Sequence, residues 1–174
     1  MKIQISTNFS EARAKMFFRF HFLKRTKGKY IFYATAVLFL IIGALCFFIG
    51  DNLSKAGIGF LIASVTVLIV RPIMASKTAK KIVEASNVSG AKYIVVFYDD
   101  HFEYIIDGII TIYNWSDLIC VCDTNTCLYF YVTNEKAITV PKYAIRGNER
   151  DNFLEFLKNN TKYKRYRFKQ RDEE

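Results

Sequence analysis

Asp99, His101 and Glu103 alternate along one stretch, so a strand there would present three oxygen and nitrogen donors on a single face, a set that could ligate a divalent cation. The competing reading is a β-turn at Asp99-Asp100 followed by a solvent-facing polar row, and it needs no metal. Cys120 and Cys122 share a strand face in the same way, with Cys127 across a turn. A Cys-x-Cys pair plus one more thiol lacks zinc spacing and a fourth ligand, so these read as small core residues in a reducing compartment. Cys46 lies in an apolar run and reads as a packing residue. His21 and His101 are the only histidines, no nucleophile-elbow motif exists, and no glycine-rich phosphate loop is present. The residues therefore point away from an enzyme, with no catalytic residue, metal or cofactor assigned.

The elements that would carry these residues are set by where apolar side chains and charges sit. The chain has 174 residues, 25 Lys+Arg, 16 Asp+Glu and a mean hydropathy of +0.11. Tyr30 to Gly50 contains no charged side chain, and at about 1.5 Å per residue it reaches across a hydrocarbon core of roughly 30 Å. A second apolar stretch runs from Ala56 to Val70 and continues through Arg71 and Pro72 to Ala75, spanning if Arg71 snorkels. The polar link Asp51-Asn52-Leu53-Ser54-Lys55 is short, so the two helices form an antiparallel hairpin, and Gly59 and Ala63 allow close helix contact. Gly57 lies in the same span.

Charge gives the orientation. Residues 1–29 carry eight Lys/Arg against Glu11, while the hairpin link holds only Asp51 and Lys55. Arg71, Lys77, Lys80 and Lys81 follow the second span. The positive-inside rule therefore places both termini in the cytoplasm of a two-span protein of the cell membrane. Residues 72–174 hold 15 basic and 14 acidic groups, so the net +9 is largely a membrane-flanking effect and argues weakly for nucleic acid. Met1 to Thr7 alternates like a short strand, and Asn8 or Ser10 caps a helix from Glu11 to Arg25. That segment has two open readings: an amphipathic helix whose Lys24, Arg25 and Lys27 meet anionic lipid, or a plain lead-in to the first span.

Beyond a helical extension over Ser76 to Ser89, ending near Asn87 or Gly90, the pattern turns to strands. They run at 93–98, 101–106, 109–113, 118–122, 127–133 and 137–140, with Asp107-Gly108 a strong hairpin signal and Pro141 ending the last. A helix opens at Asn148 or Glu149 and runs through Leu157. About six short strands closed by one amphipathic helix form a strongly bent or barrel-like antiparallel sheet, the order of pleckstrin-homology-like (PH-like) domains. The fold class is thus α+β: a two-helix transmembrane hairpin plus a small PH-like β domain. The domains fall at 1–29, 30–75, 76–90, 91–160 and 161–174. The tail Lys162 to Arg171 interleaves cations with aromatics and has three readings: a nucleic-acid track, a membrane-surface segment, or a final strand or solvated end.

Phe97-Tyr-Asp-Asp-His-Phe-Glu103, Tyr113-Asn-Trp-Ser-Asp-Leu118, Leu128-Tyr-Phe-Tyr131, Ala137-Ile-Thr-Val-Pro-Lys-Tyr-Ala144 and Asn152-Phe-Leu-Glu-Phe-Leu157 occur in this order behind the hairpin. In that order the chain resembles the YcxB-like family of small bacterial membrane proteins. The resemblance implies a membrane hairpin bearing a cytoplasmic PH-like domain and supplies no catalytic residues. Among the matching positions, Trp115 inserts into the core and Pro141 sets a strand exit with Lys142 exposed. Lys142 and nearby Arg146 are then candidates to bind an anionic headgroup or an acidic protein segment. The expected function is a membrane-anchored binding or scaffold module for another membrane protein or anionic lipid. A self-assembling channel or transport accessory subunit, a homo-oligomer in the bilayer, is the alternative.

Overall fold

A computed structural model describes residues 2–49, 51–86 and 90–167. The chain divides into two units: a β unit formed by residues 1–17 and 86–174, and a helical unit formed by residues 18–85.

In the β unit, Ile3 and Ile5 alternate with polar neighbours and bury one face of β1 (Ile3–Asn8). This strand pairs antiparallel with β2 (Lys92–Phe97), so the unit is built from chain on both sides of the apolar helices. β3 (His101–Ile106) and β4 (Ile109–Asn114) complete a four-stranded sheet in the order β1-β2-β3-β4. Asp107 and Gly108 close the β3–β4 hairpin with φ of 48° and 80°, the left-handed pair that a two-residue turn of this twist requires. A 3-10 turn at Trp115–Asp117 leads to the second sheet. It comprises β5 (Cys120–Asp123), β6 (Cys127–Tyr131) and β7 (Ala137–Pro141), then β8 (Tyr163–Arg165) beyond α4 (Gly147–Asn160). The order there is β7-β6-β5-β8, with β8 parallel to β5.

Two sheets therefore replace the one bent sheet expected, and the strands number eight among the described residues because both chain ends contribute one. The strand reading of the tail holds for Tyr163–Arg165; residues 168–174 lie outside the described part, as does the helix end expected at Asn87. The core lies between the sheets and α4. Phe97 meets Phe130 and Phe153 at centroid distances of 5.2 and 4.7 Å, and Trp115 packs on Phe97, Phe102 and Phe156. Each such ring contributes roughly 3–5 kcal/mol by the cost of its truncation to alanine. Trp115 also donates its indole N–H to the Tyr98 carbonyl, so its one polar atom is satisfied on burial.

α1 (Glu11–Phe20) crosses from one unit into the other, and its Phe17 packs on Tyr129 and Tyr131 within the β unit. In the helical unit a π turn at His21–Arg25 leads to α2 (Gly28–Ile49), followed by α3 (Asp51–Ser86), a 36-residue helix through Pro72. The polar link expected at 51–55 is thus already helical, consistent with Asp and Asn being favourable residues at a helix start; Gly50 lies outside the described part. α2 and α3 meet along a seam of small residues. Gly43 faces Gly57 so closely that a Cβ on Gly57 would stand 2.9 Å from the Gly43 carbonyl oxygen. Ser64 donates to the Ala36 carbonyl at 2.8 Å, and Phe39 meets Phe60. Gly59, expected at the contact, has no atom within 4 Å of its Cβ position and faces away; the seam follows a heptad step through Gly57 and Ser64 instead.

The rest of both helices carries outward apolar side chains, including Ile31, Leu38, Phe48, Ile62 and Ile69. Gly28–Phe48 and Lys55–Ala85 are long and apolar enough to cross a membrane.

Candidate functional site

The sequence points to Lys142 as an exposed ligand contact. The structure corrects this: Lys142 is 7% exposed. Pro141 ends β7, the following 3-10 turn (Lys142–Ala144) swings the side chain inward, and its ammonium pairs with the carboxylate of Asp123 at the end of β5. The Lys142 N–H bonds to the Thr126 carbonyl at 2.8 Å, fixing the turn from which the side chain departs. Tyr163 on β8 donates its hydroxyl to the other Asp123 oxygen, and Arg165 stands 3.9 Å from that oxygen. Burial, and then the hydrogen bond to Asp123, push the Tyr163 phenol well above its ordinary value. Removing two charges from water is costly unless they meet with good geometry, so this cluster is a structural clamp joining β5, β7 and β8.

Arg146, four residues on, goes elsewhere. It is exposed at the start of α4, where its carbonyl accepts the N–H groups of Glu149 and Arg150 at 3.0 Å each. With Lys2, Ile3, Gln4, Ala144 and Glu149 it lines a cleft of about 290 Å³ between β1 and the start of α4. The cleft is mostly polar: two cations, one amide and one carboxylate converge there, and Lys2 also lies 5.7 Å over the Tyr98 ring. Beside it, Arg13 of α1 donates to the Thr7 hydroxyl at 2.6 Å, to the Tyr143 hydroxyl at 2.9 Å and to the Asn8 carbonyl. That fork ties α1, β1 and the Lys142–Ala144 turn together and holds one wall of the cleft in place.

Lys24, Arg25 and Lys27 belong to the helical unit. Lys24 and Lys27 are exposed, Arg25 is half-buried, and the Lys24 carbonyl accepts a bond from Lys29 Nζ at 3.1 Å. At the π turn that carries Lys24 and Arg25, Arg71 Nη2 donates to the carbonyls of Phe22 and Leu23 at 3.2 and 2.9 Å, and the Phe22 carbonyl also accepts the Thr26 hydroxyl at 2.8 Å. The guanidinium also lies 5.9 and 5.4 Å from the Phe32 and Tyr33 ring centres. Arg71 is thereby satisfied within the chain, by the negative end of a helix and two aromatic faces.

His101 Nδ1 lies 2.7 Å from Asp100, not Asp99, and its Nε2 is 3.9 Å from Glu103. The His101 hydrogen bond holds the Asp100 carboxyl below the usual carboxylate range. Among the described residues no three His, Cys, Asp or Glu side chains are gathered in a way that could hold a metal ion. Cys120, Cys122 and Cys127 are buried thiols, with the first two sulfurs 3.7 Å apart, and burial pushes the Cys127 thiol up.

Sequence reasoning missed Lys2, Gln4 and Glu149 as neighbours of Arg146, and Asp123 as the partner of Lys142. Glu149 lies three residues from Arg146 at the start of α4, a spacing that places the two side by side. Lys2 and Gln4, in contrast, reach the cleft through β1 from the far side of the whole helical insertion, and Asp123 reaches Lys142 from the end of β5, neither with a local signal.

A model of the YcxB-like protein family matches residues 97–157, from the end of β2 to most of α4. No curated protein and no solved structure matches the chain.

Proposed function

We propose that this YcxB-like chain is a non-enzymatic, membrane-anchored binding and scaffold protein that presents a PH-like β unit at the cytoplasmic face of the bacterial inner membrane. The observation that carries the proposal is connectivity. β1 precedes the two apolar helices, β2 follows them, and the two strands pair along six residues. If α2 and α3 span a bilayer, both ends of the hairpin open on the side where that pairing occurs. The excess of Lys and Arg in residues 1–29 supports reading this as the cytoplasmic side. Two four-stranded sheets, antiparallel except for the β5–β8 pair, packed with α4 behind the last antiparallel strand support the PH-like reading.

The cleft at Arg146 is the surface we assign to recognition. A cation pair beside an amide and a carboxylate suits a polypeptide segment bearing an acidic side chain better than a multiply charged phosphate, which Glu149 would repel. The partner is accordingly another membrane protein with an acidic cytoplasmic segment.

A photoreactive phenylalanine in place of Gln4, which lines the cleft without supplying its charge, tests this in cells. The reading expects a discrete protein adduct that is lost when Lys2 and Arg146 are both changed to Glu. Phospholipid adducts would move the site to headgroup recognition, and adducts indifferent to that charge reversal would reject the cleft as the binding surface.

A further inference from the structure

β4 is the edge of its sheet, and six residues of it, Ile109-Ile-Thr-Ile-Tyr-Asn114, carry no charge and no proline. It pairs with β3 one-to-one over its whole length, without a bulge. Lysine, proline and bulges are the devices by which edge strands avoid pairing with other chains, and this strand has none. Its isoleucines are out in solvent as well: Ile109 is 72%, Ile110 57% and Ile112 60% exposed.

The register shows what the edge offers. Tyr98 N–H bonds to the His101 carbonyl at 2.9 Å, so His101, Glu103 and Ile105 turn their backbone groups toward β2. Alternation then turns Phe102, Tyr104 and Ile106 toward β4, where they meet Tyr113, Thr111 and Ile109. The N–H and C=O groups of Ile110 and Ile112 are left pointing to the free edge, while the next outward N–H, that of Asn114, is capped by Asp117 at 3.0 Å. Ile110 and Ile112 also share the sheet face away from the core with Ile105 and Ile94, through the cross-strand row Ile94, Ile105, Ile110.

We infer that β4 is an interface for a second copy of this chain, the two β4 strands pairing antiparallel about a two-fold axis at Thr111. With Thr111 opposite its counterpart, Ile110 of each copy faces Ile112 of the other, and these are the residues whose backbone groups point outward. The four hydrogen bonds of two reciprocal pairs close in that one register. A neutral strand places no like charges opposite each other, so the second copy is matched in charge as well as in hydrogen bonding. The two outer-face isoleucine rows become continuous, and the two four-stranded sheets merge into one. This occupant satisfies the isologous symmetry that homodimers use.

Thr111→Cys in the full-length protein tests the register, since facing residues of a non-hydrogen-bonded pair stand about 4.5 Å apart at Cα, within reach of a disulfide. Mild oxidation in native membranes should give a disulfide-linked dimer through the thiol introduced at position 111, identified by peptide mass. The same substitution at Tyr143, which is exposed and remote from β4, should give little. Adding Ile110→Lys and Ile112→Lys to the Thr111→Cys chain should lower the dimer yield by about tenfold or more, from lost cross-strand pairs and like-charge repulsion. Unchanged Trp115 fluorescence certifies that the β unit stays folded. Absence of the Thr111→Cys dimer, equal cross-linking from Tyr143→Cys, or a yield indifferent to the lysines would overturn the inference.

Discussion

Replacing Lys142 with alanine removes the one ammonium that neutralises a carboxylate 3% exposed to solvent, while leaving that carboxylate in place. Breaking a buried pair from one side costs roughly 3–5 kcal/mol, because the remaining charge loses its partner without regaining water. The surroundings place this case toward the lower end. Tyr163 still donates to Asp123, and Arg165, itself 80% exposed, stands 3.9 Å from the carboxylate. A loss of about 3 kcal/mol is the expected outcome. Urea unfolding in detergent, followed by the fluorescence of Trp115, reads it directly, since this is the single tryptophan and it lies in the β core. Asp123→Leu together with Lys142→Met should recover most of the loss, because removing both charges removes the desolvation cost. A Lys142→Ala loss below about 1 kcal/mol, the range of surface pairs, would refute the clamp and return Lys142 to the solvent.

Gly57→Val should wedge α2 from α3, since its Cβ would stand 2.9 Å from a backbone oxygen, and lower hairpin stability by about 1–3 kcal/mol; Gly59→Ala, with open space around it, should not, as thermal denaturation in detergent will show. Burial raises the phenols of Tyr93, Tyr104 and Tyr163 above 10.0, Tyr104 to about 12. A pKa raised in the folded state means full stability below pH 10 and loss as pH climbs beyond it, so denaturant midpoints should fall above about pH 10 while tyrosinate absorbance shows a late-titrating class. Cys120, Cys122 and Cys127 should resist maleimide in the native protein and react on unfolding, Cys127 in particular because burial disfavours its thiolate; mass spectrometry of labelled peptides checks this.

Local pattern carried most of the fold. β-branched and aromatic runs gave the strands, Asp107-Gly108 gave the hairpin, and unbroken apolar stretches gave α2 and α3. The main failures are non-local. Nothing in Met1 to Thr7 says that it pairs with a strand beyond both apolar helices, because strand pairing leaves no mark in either partner alone. Lys142 follows a proline at a strand end, where a lysine is ordinarily solvated; only the fold brings Asp123 beneath it. Glycine spacing suggested Gly59, yet the contact falls on Gly57, because the helix face is chosen by what lies opposite, here Gly43. The site was legible to the same degree: Arg146 lines the cleft, but its companions Lys2 and Gln4 arrive through β1 and the residue before it.

The central claim, a membrane hairpin whose two ends feed one cytoplasmic β unit, is tested most directly by labelling sidedness. Single cysteines replacing Lys2, Lys55 and Tyr143 would be treated with a membrane-impermeant maleimide in right-side-out and inside-out vesicles. The account predicts that Lys2→Cys and Tyr143→Cys label only in inside-out vesicles and Lys55→Cys only in right-side-out ones. Labelling of Lys2→Cys and Tyr143→Cys from opposite sides, or of all three from the same side, would contradict it.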